Sequence, residues 1–164
     1  MAKTMTICEF FKKNFNRVRY YAKVFKTKPY FSLWSNYSLK LFNDINHYRK
    51  EHGLPVYKGS LDLHNLCLDR CEYLRHKFLT IPNYKIKNHD GFPIIHIKAL
   101  KLGVNKLGEN LAYGYINGNS VLKAWKNGNG HIDEEGKYYI GHNDLLLNKE
   151  YKWMSIDRIR HNNR

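Results

Sequence analysis

The chain contains 164 residues, 43% of them hydrophobic and 15% aromatic, and it carries a net charge of +14. This length suits one ordinary domain and excludes two of typical size. No apolar run approaches the roughly 20 residues that span a bilayer, which excludes a transmembrane helix. Three cysteines exclude a disulfide framework and favour a reducing compartment.

Residues 1–37 are predicted to form a basic, aromatic N-terminal arm around an amphipathic helix. Residues 1–40 hold nine lysines and arginines but one acid, so more than half of the net charge lies there. This charge favours an anionic partner: nucleic acid, an acidic protein surface or anionic lipid. The alternative is that the arm packs on the domain or on a neighbouring subunit. The residues expected to bind a partner are Phe10, Phe11, Phe15, Arg17, Arg19, Phe31 and Trp34.

Residues 38–164 are predicted to form the domain proper. Apolar residues at helical spacing predict helices over 38–52, 61–78, 95–102 and 118–127. In the second helix Cys67 and Cys71 share one face, which predicts that they are small core residues. Strand character follows at 137–140 and 153–156. The aromatic cluster at 30–34, which precedes the first of these helices, is expected to be exposed.

Several separated motifs then occur in one order along the chain. They are Phe42-Asn43-Asp44-Ile45-Asn46-His47-Tyr48-Arg49 with Gly53-Leu54-Pro55, then His89, Gly108-Glu109-Asn110-Leu111-Ala112, Trp125, Gly141-His142, and a run from Leu145 to Met154. Together they resemble the CAP (SCP-like) superfamily, and the last run resembles its bacterial branch. The resemblance covers residues 40–157 and leaves the arm outside.

The resemblance implies an α+β fold, an α-β-α sandwich with a small antiparallel sheet between helical layers. The N-terminal arm would be a helical extension of that domain. Family members usually continue past the position of Met154 through further strands, whereas here Ser155 stands in place of the usual glycine. We therefore expect a shortened C-terminal sheet, with an edge that the arm or another chain must cover.

The family's cleft is lined by two histidines and one or two acids, which can hold a divalent metal such as zinc. Matching the motifs one by one, the resemblance implies that His89, Glu109 and His142 occupy these positions. They are the candidate catalytic and metal-binding residues. Two imidazoles and a carboxylate are a common zinc set, and without metal the carboxylate could act as a general base. The structural alternative is that Glu109 only fixes a loop.

Two features leave the cleft assignment open. His131 also follows Trp125 at the bacterial spacing, so it is an alternative to His142, although His142 has the better downstream match. The second acid of the secreted members is missing, since Gly128 stands three residues after the tryptophan.

Three functions are compatible with these features. The preferred hypothesis is a non-enzymatic structural or assembly protein, such as a phage virion component, whose arm docks on partner chains and which needs no cofactor. The second is a metal-dependent or His/Glu hydrolase acting on peptide or cell-wall material. The third is a module that binds nucleic acid or a membrane surface through residues 1–40.

The cellular location is predicted from the first 25 residues. Charged side chains interrupt every apolar segment there, so no secretion signal is expected. The high content of Lys, Asn, Ile and Tyr suggests an AT-rich bacterial or phage genome. We therefore expect synthesis in a bacterial cytoplasm, with a virion as the destination.

Overall fold

A computed structural model describes residues 34–84, 89–132, 136 and 138–158. Side chains are described over the same residues, except in the two short strands at 131–132 and 138–139. The compact unit begins at Trp34, four residues before the predicted domain start at 38. The proposed partner contacts Phe10, Phe11, Phe15, Arg17, Arg19 and Phe31 lie outside the described residues and remain predictions.

The described chain is dominated by helices. The helices are α1 (Asn36–Glu51), α2 (Leu61–Thr80), α3 (Phe92–Lys101), α4 (Gly118–Lys126) and α5 (His142–Leu147). The strands are β1 (Lys58–Gly59), β2 (His131–Ile132), β3 (Tyr138–Tyr139) and β4 (Trp153–Met154). The predicted α+β class is confirmed. α1 to α4 lie where the sequence placed helices, whereas α5 was not predicted.

Polar side chains begin three of the helices. The side chains of Ser35, Ser60 and Asn117 accept hydrogen bonds from backbone N–H groups in the first turns of α1, α2 and α4. Such caps satisfy donors that have no partner inside the helix. α1 ends before Gly53, whose φ of 67° is a left-handed conformation that suits glycine.

The strands differ from the expected antiparallel sheet. β2 and β3 are antiparallel, but β1 and β4 run parallel, with Lys58 opposite Trp153. The parallel pair joins the beginning of the domain to its end. It is two residues long, so most of the packing among the described residues is between helices.

The helices form two groups. α1 contacts α4 and α5, while α2 contacts α3. Leu66, Ile95 and Ala99 make a buried cluster between α2 and α3. A cleft of about 1560 Å³ lies between the groups, lined by residues of α1 and α2 and by segments 106–116 and 150–158.

Trp34 corrects one prediction about the arm. Its side chain is 6% exposed, and its ring meets that of Phe42 edge to face at a centroid distance of 4.8 Å. Burial of an aromatic ring against α1 stabilises the fold. Trp34 is therefore a core residue of the domain and cannot be part of an exposed aromatic surface.

The two cysteines of α2 are free thiols that share the predicted face. A hydrogen bond with Cys71, together with burial, raises the pKa of the Cys67 thiol well above its usual value. The thiol is the less reactive form of cysteine. Both residues are partly buried. A role in core packing therefore fits them better than a role as reactive thiols.

A buried arginine joins α1 to the C-terminal half of the domain. The Arg49 guanidinium donates to the carbonyl oxygens of Pro55 at 2.8 Å, Leu146 at 2.6 Å and Asn148 at 3.0 Å. It also lies 3.7 Å from the centroid of the Tyr57 ring. Three acceptors and an aromatic face offset much of the cost of burying the charge.

Candidate functional site

The centre of the candidate site is an ion pair between α2 and segment 108–112. Arg70 Nε donates to Glu109 Oε2 at 2.6 Å, and Arg70 Nη2 donates to Glu109 Oε1 at 3.0 Å. The side chains are 4% and 11% exposed. This two-pronged geometry is the strong form of an arginine–carboxylate contact. The sequence did not single out Arg70.

Arg70 also holds the loop before α3. Its Nη1 donates to the carbonyl oxygen of Asp90 at 2.5 Å. The Asp90 carboxylate in turn accepts from the hydroxyls of Tyr84 at 2.9 Å and Tyr73 at 3.2 Å. The hydrogen bond from Tyr84 leads the effects that lower the pKa of Asp90. One arginine therefore connects α2, the 89–91 loop and the segment that contains Glu109.

His89 reaches the same carboxylate from the other side. Its Nδ1 lies 2.9 Å from Glu109 Oε1, and its side chain is partly open to solvent. A carboxylate only accepts hydrogen bonds, so this contact places a proton on Nδ1. In the neutral ring Nε2 is then an acceptor. The backbone of His89 is left-handed, with φ of 55°, a conformation that is uncommon for residues other than glycine.

His142 is the first residue of α5. Its carbonyl oxygen accepts from Asn110 Nδ2 at 3.1 Å. A Cβ at Gly128 would lie 2.9 Å from His142 Nδ1, so glycine leaves the room that the imidazole occupies. Burial lowers the pKa of His142, and the charge of His89 lowers it further. His142 therefore packs against Gly128, the position where the motif's second acid is absent.

The structure brings the candidate residues into one region. His89 contacts Glu109, and the next residue, Asn110, donates to the carbonyl oxygen of His142. For His131 the structure gives the backbone in β2 and not the side chain, so its competition with His142 stays open. Segment 108–112 is further fixed by Trp125, whose Nε1 donates to the carbonyl oxygen of Leu111 at 3.1 Å.

Glu109 is held as a carboxylate. Burial favours its neutral form, but hydrogen bonds from His89 and Arg70, together with their charges, outweigh burial and lower its pKa. Both oxygens already face cationic or N–H donors. This arrangement fits a fixed anion better than a general base, whose pKa should lie near the working pH.

A divalent metal such as zinc needs several donor side chains that converge on one point. Across the described part of the chain, no group of three or more His, Cys, Asp or Glu side chains is arranged to hold a metal ion. A guanidinium occupies both oxygens of Glu109. The three predicted ligands therefore do not fit a zinc site in this arrangement, although His89 Nε2 and the His142 ring remain as nitrogen donors.

The lowered pKa of His142 predicts a pH dependence of stability. Below about pH 6.5 the unfolded chain takes up a proton at this residue before the folded chain does. The stabilisation is therefore present above that pH and is lost as the pH falls. His64, whose pKa burial also lowers, has the same sign. Urea unfolding of the wild type should show a falling free energy between about pH 7 and pH 5.

The variant His142→Gln should reduce that pH dependence, because it removes one of the two described histidines whose pKa burial lowers. His47→Gln, on the exposed side of α1, is the matched control. Equal pH slopes for the wild type and His142→Gln would contradict the burial of this imidazole.

Comparison with known proteins agrees with the motifs. The sequence model of the CAP, or cysteine-rich secretory protein, family matches residues 42–164. No curated protein and no solved structure matches the chain. Within the described residues, no helix has both the length and the apolar character to cross a bilayer. The family match includes Arg70, Glu109, both site histidines and all five helices except the start of α1, and it covers three quarters of the sequence. The chain belongs to the cysteine-rich secretory protein family.

Proposed function

We propose that this protein is a structural or assembly component that uses its CAP domain as a scaffold, with a virion as the proposed setting. The observation that carries the proposal is the ion pair between Arg70 and Glu109. A carboxylate held at both oxygens in a nearly buried site connects two segments and is poorly placed to exchange protons with a substrate. Segment 108–112, which contains Glu109 and is the most diagnostic motif of the domain, thus has a structural role.

The cleft between the two groups of helices supports the same proposal. In segment 105–116, which lines much of it, no backbone N–H donates to a backbone carbonyl of the described residues. Backbone N–H groups that lack a backbone partner beside an apolar cleft favour pairing with an added extended segment. We expect a partner chain to provide that segment and the N-terminal arm to dock on the same assembly.

Hydrogen exchange compares the isolated chain with the chain in its native assembly. Amides of 105–116 should exchange rapidly in the isolated protein and at least tenfold more slowly in the assembly, because pairing protects them. Amides of α4, already bonded within the helix, serve as the internal control. Equal exchange of 105–116 in both samples, or a native protein that is monomeric, would overturn the assembly role.

A second candidate is a cation-dependent hydrolase, favoured because His89 and His142 both contact residues of segment 108–112. Arg70 occupies both oxygens of Glu109, so a cation would have to bind through the two imidazoles without that carboxylate. Calorimetric titration with Zn²⁺ should then show binding that His142→Gln removes and His47→Gln retains. Absence of that binding would leave the scaffold proposal as the better account. Binding of nucleic acid or lipid through residues 1–40 would use the basic side chains within 1–33, which lie outside the described residues. A steep loss of affinity with salt would support it.

A further inference from the structure

α3 is apolar on both of its faces. Ile95 and Ala99 face α2 and are buried. On the opposite side Ile94, Ile97 and Leu100 are 51%, 57% and 49% exposed. Large apolar side chains that share one exposed face ordinarily mark a contact with another molecule. The outer face of α3, defined by Ile94, Ile97 and Leu100, therefore exposes three large apolar side chains on one side of the helix.

Two lysines accompany this face. Lys98 and Lys101 are in the last turn of α3, and both are exposed. Lys98 lies 2.6 Å from Asp69 on α2, an exposed pair that is weak in water. Lys101 makes no ion pair with any described residue. The apolar face is therefore bordered by positive charge at its C-terminal end.

The apolar outer face of α3 and its two lysines together indicate which kind of molecule could bind there. A second copy of the chain would bring together two proteins that each carry a net charge of +14. The centres of protein–protein interfaces are depleted of lysine. Helices that lie in a membrane interface combine an apolar face with lysines that reach anionic headgroups.

We propose that the outer face of α3 docks on an anionic lipid surface. The helix is ten residues and about 15 Å long, so it can lie in the plane of the headgroups and insert its three large apolar side chains. Lys98 and Lys101 then contact lipid phosphates or carboxylates. This surface is separate from the candidate site and from the cleft, and the proposal does not depend on the assembly role.

The test measures partitioning of the full-length protein onto vesicles of phosphatidylcholine, with and without phosphatidylserine. Ile97→Ser should weaken binding to the phosphatidylserine vesicles roughly tenfold or more, because it removes a large apolar side chain from the lipid. Ile140→Ser is the matched control, since Ile140 is 61% exposed and lies outside α3. Its binding should equal that of the wild type.

Charge is tested separately from apolar contact. Lys101→Gln should weaken binding to the phosphatidylserine vesicles roughly fivefold and leave binding to phosphatidylcholine unchanged. Thermal unfolding in the absence of lipid should be the same for all variants, because the changed residues are exposed.

Three results would overturn the proposal. The first is failure of the wild type to bind phosphatidylserine vesicles. The second is equal binding by Ile97→Ser and the wild type, which would assign binding to another basic surface. The third is a concentration-dependent dimer that Ile97→Ser abolishes, which would make a second copy the occupant.

Discussion

Replacing Arg70 by Met should lower the free energy of unfolding by about 3–5 kcal/mol. The change keeps much of the side-chain volume but leaves the carboxylate of Glu109 nearly buried without its cation. It also removes the hydrogen bond to the Asp90 carbonyl. Urea unfolding monitored by circular dichroism gives the value, provided that the transition remains two-state.

Two further variants show how much of that loss in stability comes from the buried ion pair. In Arg70→Met combined with Glu109→Met, much of the stability should return, because no buried charge is left without a partner. Lys98→Met breaks an exposed ion pair with Asp69 and should cost less than about 1 kcal/mol. If Arg70→Met costs no more than Lys98→Met, the ion pair does not hold the site together.

Replacing Arg49 by Met should cost about 3 kcal/mol or more, because three carbonyl oxygens lose a charged donor at once. Two of them belong to Leu146 and Asn148, so the contact between α1 and the end of α5 should loosen first. Hydrogen exchange of α5 amides measures this local effect, and urea unfolding measures the global one.

Lys40→Met is the control for Arg49 because it lies on the same helix. Lys40 pairs with Asp44 four residues away, and its side chain is largely exposed. Its loss should change the free energy of unfolding by roughly 0.5 kcal/mol or less. Faster exchange in α5 after Lys40→Met, or none after Arg49→Met, would contradict the proposed connection.

Helical periodicity allowed much of this fold to be predicted. On the predicted apolar stripe of α1, Phe42 and Ile45 are buried as the spacing requires, whereas Leu39 is partly buried. α5 was missed because six residues are too few for a periodic pattern. The parallel pairing of β1 with β4 could not be predicted either, since two-residue strands distant in sequence carry no register signal.

The partners of the two buried arginines, Arg49 and Arg70, could not be predicted from the sequence. Arg70 lies four residues after Leu66 and four before Leu74, within the apolar stripe of α2. Arg49 likewise lies four residues after Ile45. A charged residue on an apolar stripe requires a partner from elsewhere in the chain. That signal was present, but neither Glu109 nor the carbonyl acceptors could be identified from spacing, because they are far away in sequence.

The resemblance to the family placed Glu109 and His89 in one cleft, and the structure shows their side chains in contact. It did not indicate that a guanidinium occupies the same carboxylate. This contact changes the interpretation of Glu109 from a candidate base or ligand to the anionic half of a structural pair. Gly128, where the second acid is absent, leaves space for His142.

The central claim is that Glu109 is a fixed carboxylate paired with Arg70. Its most direct test is the pKa of Glu109, measured by NMR titration of the side-chain carboxyl carbon in the wild-type protein. We predict a pKa below the ordinary glutamate value, because His89 and Arg70 together outweigh burial. A pKa raised towards neutrality would contradict the claim and would restore Glu109 as a candidate general base.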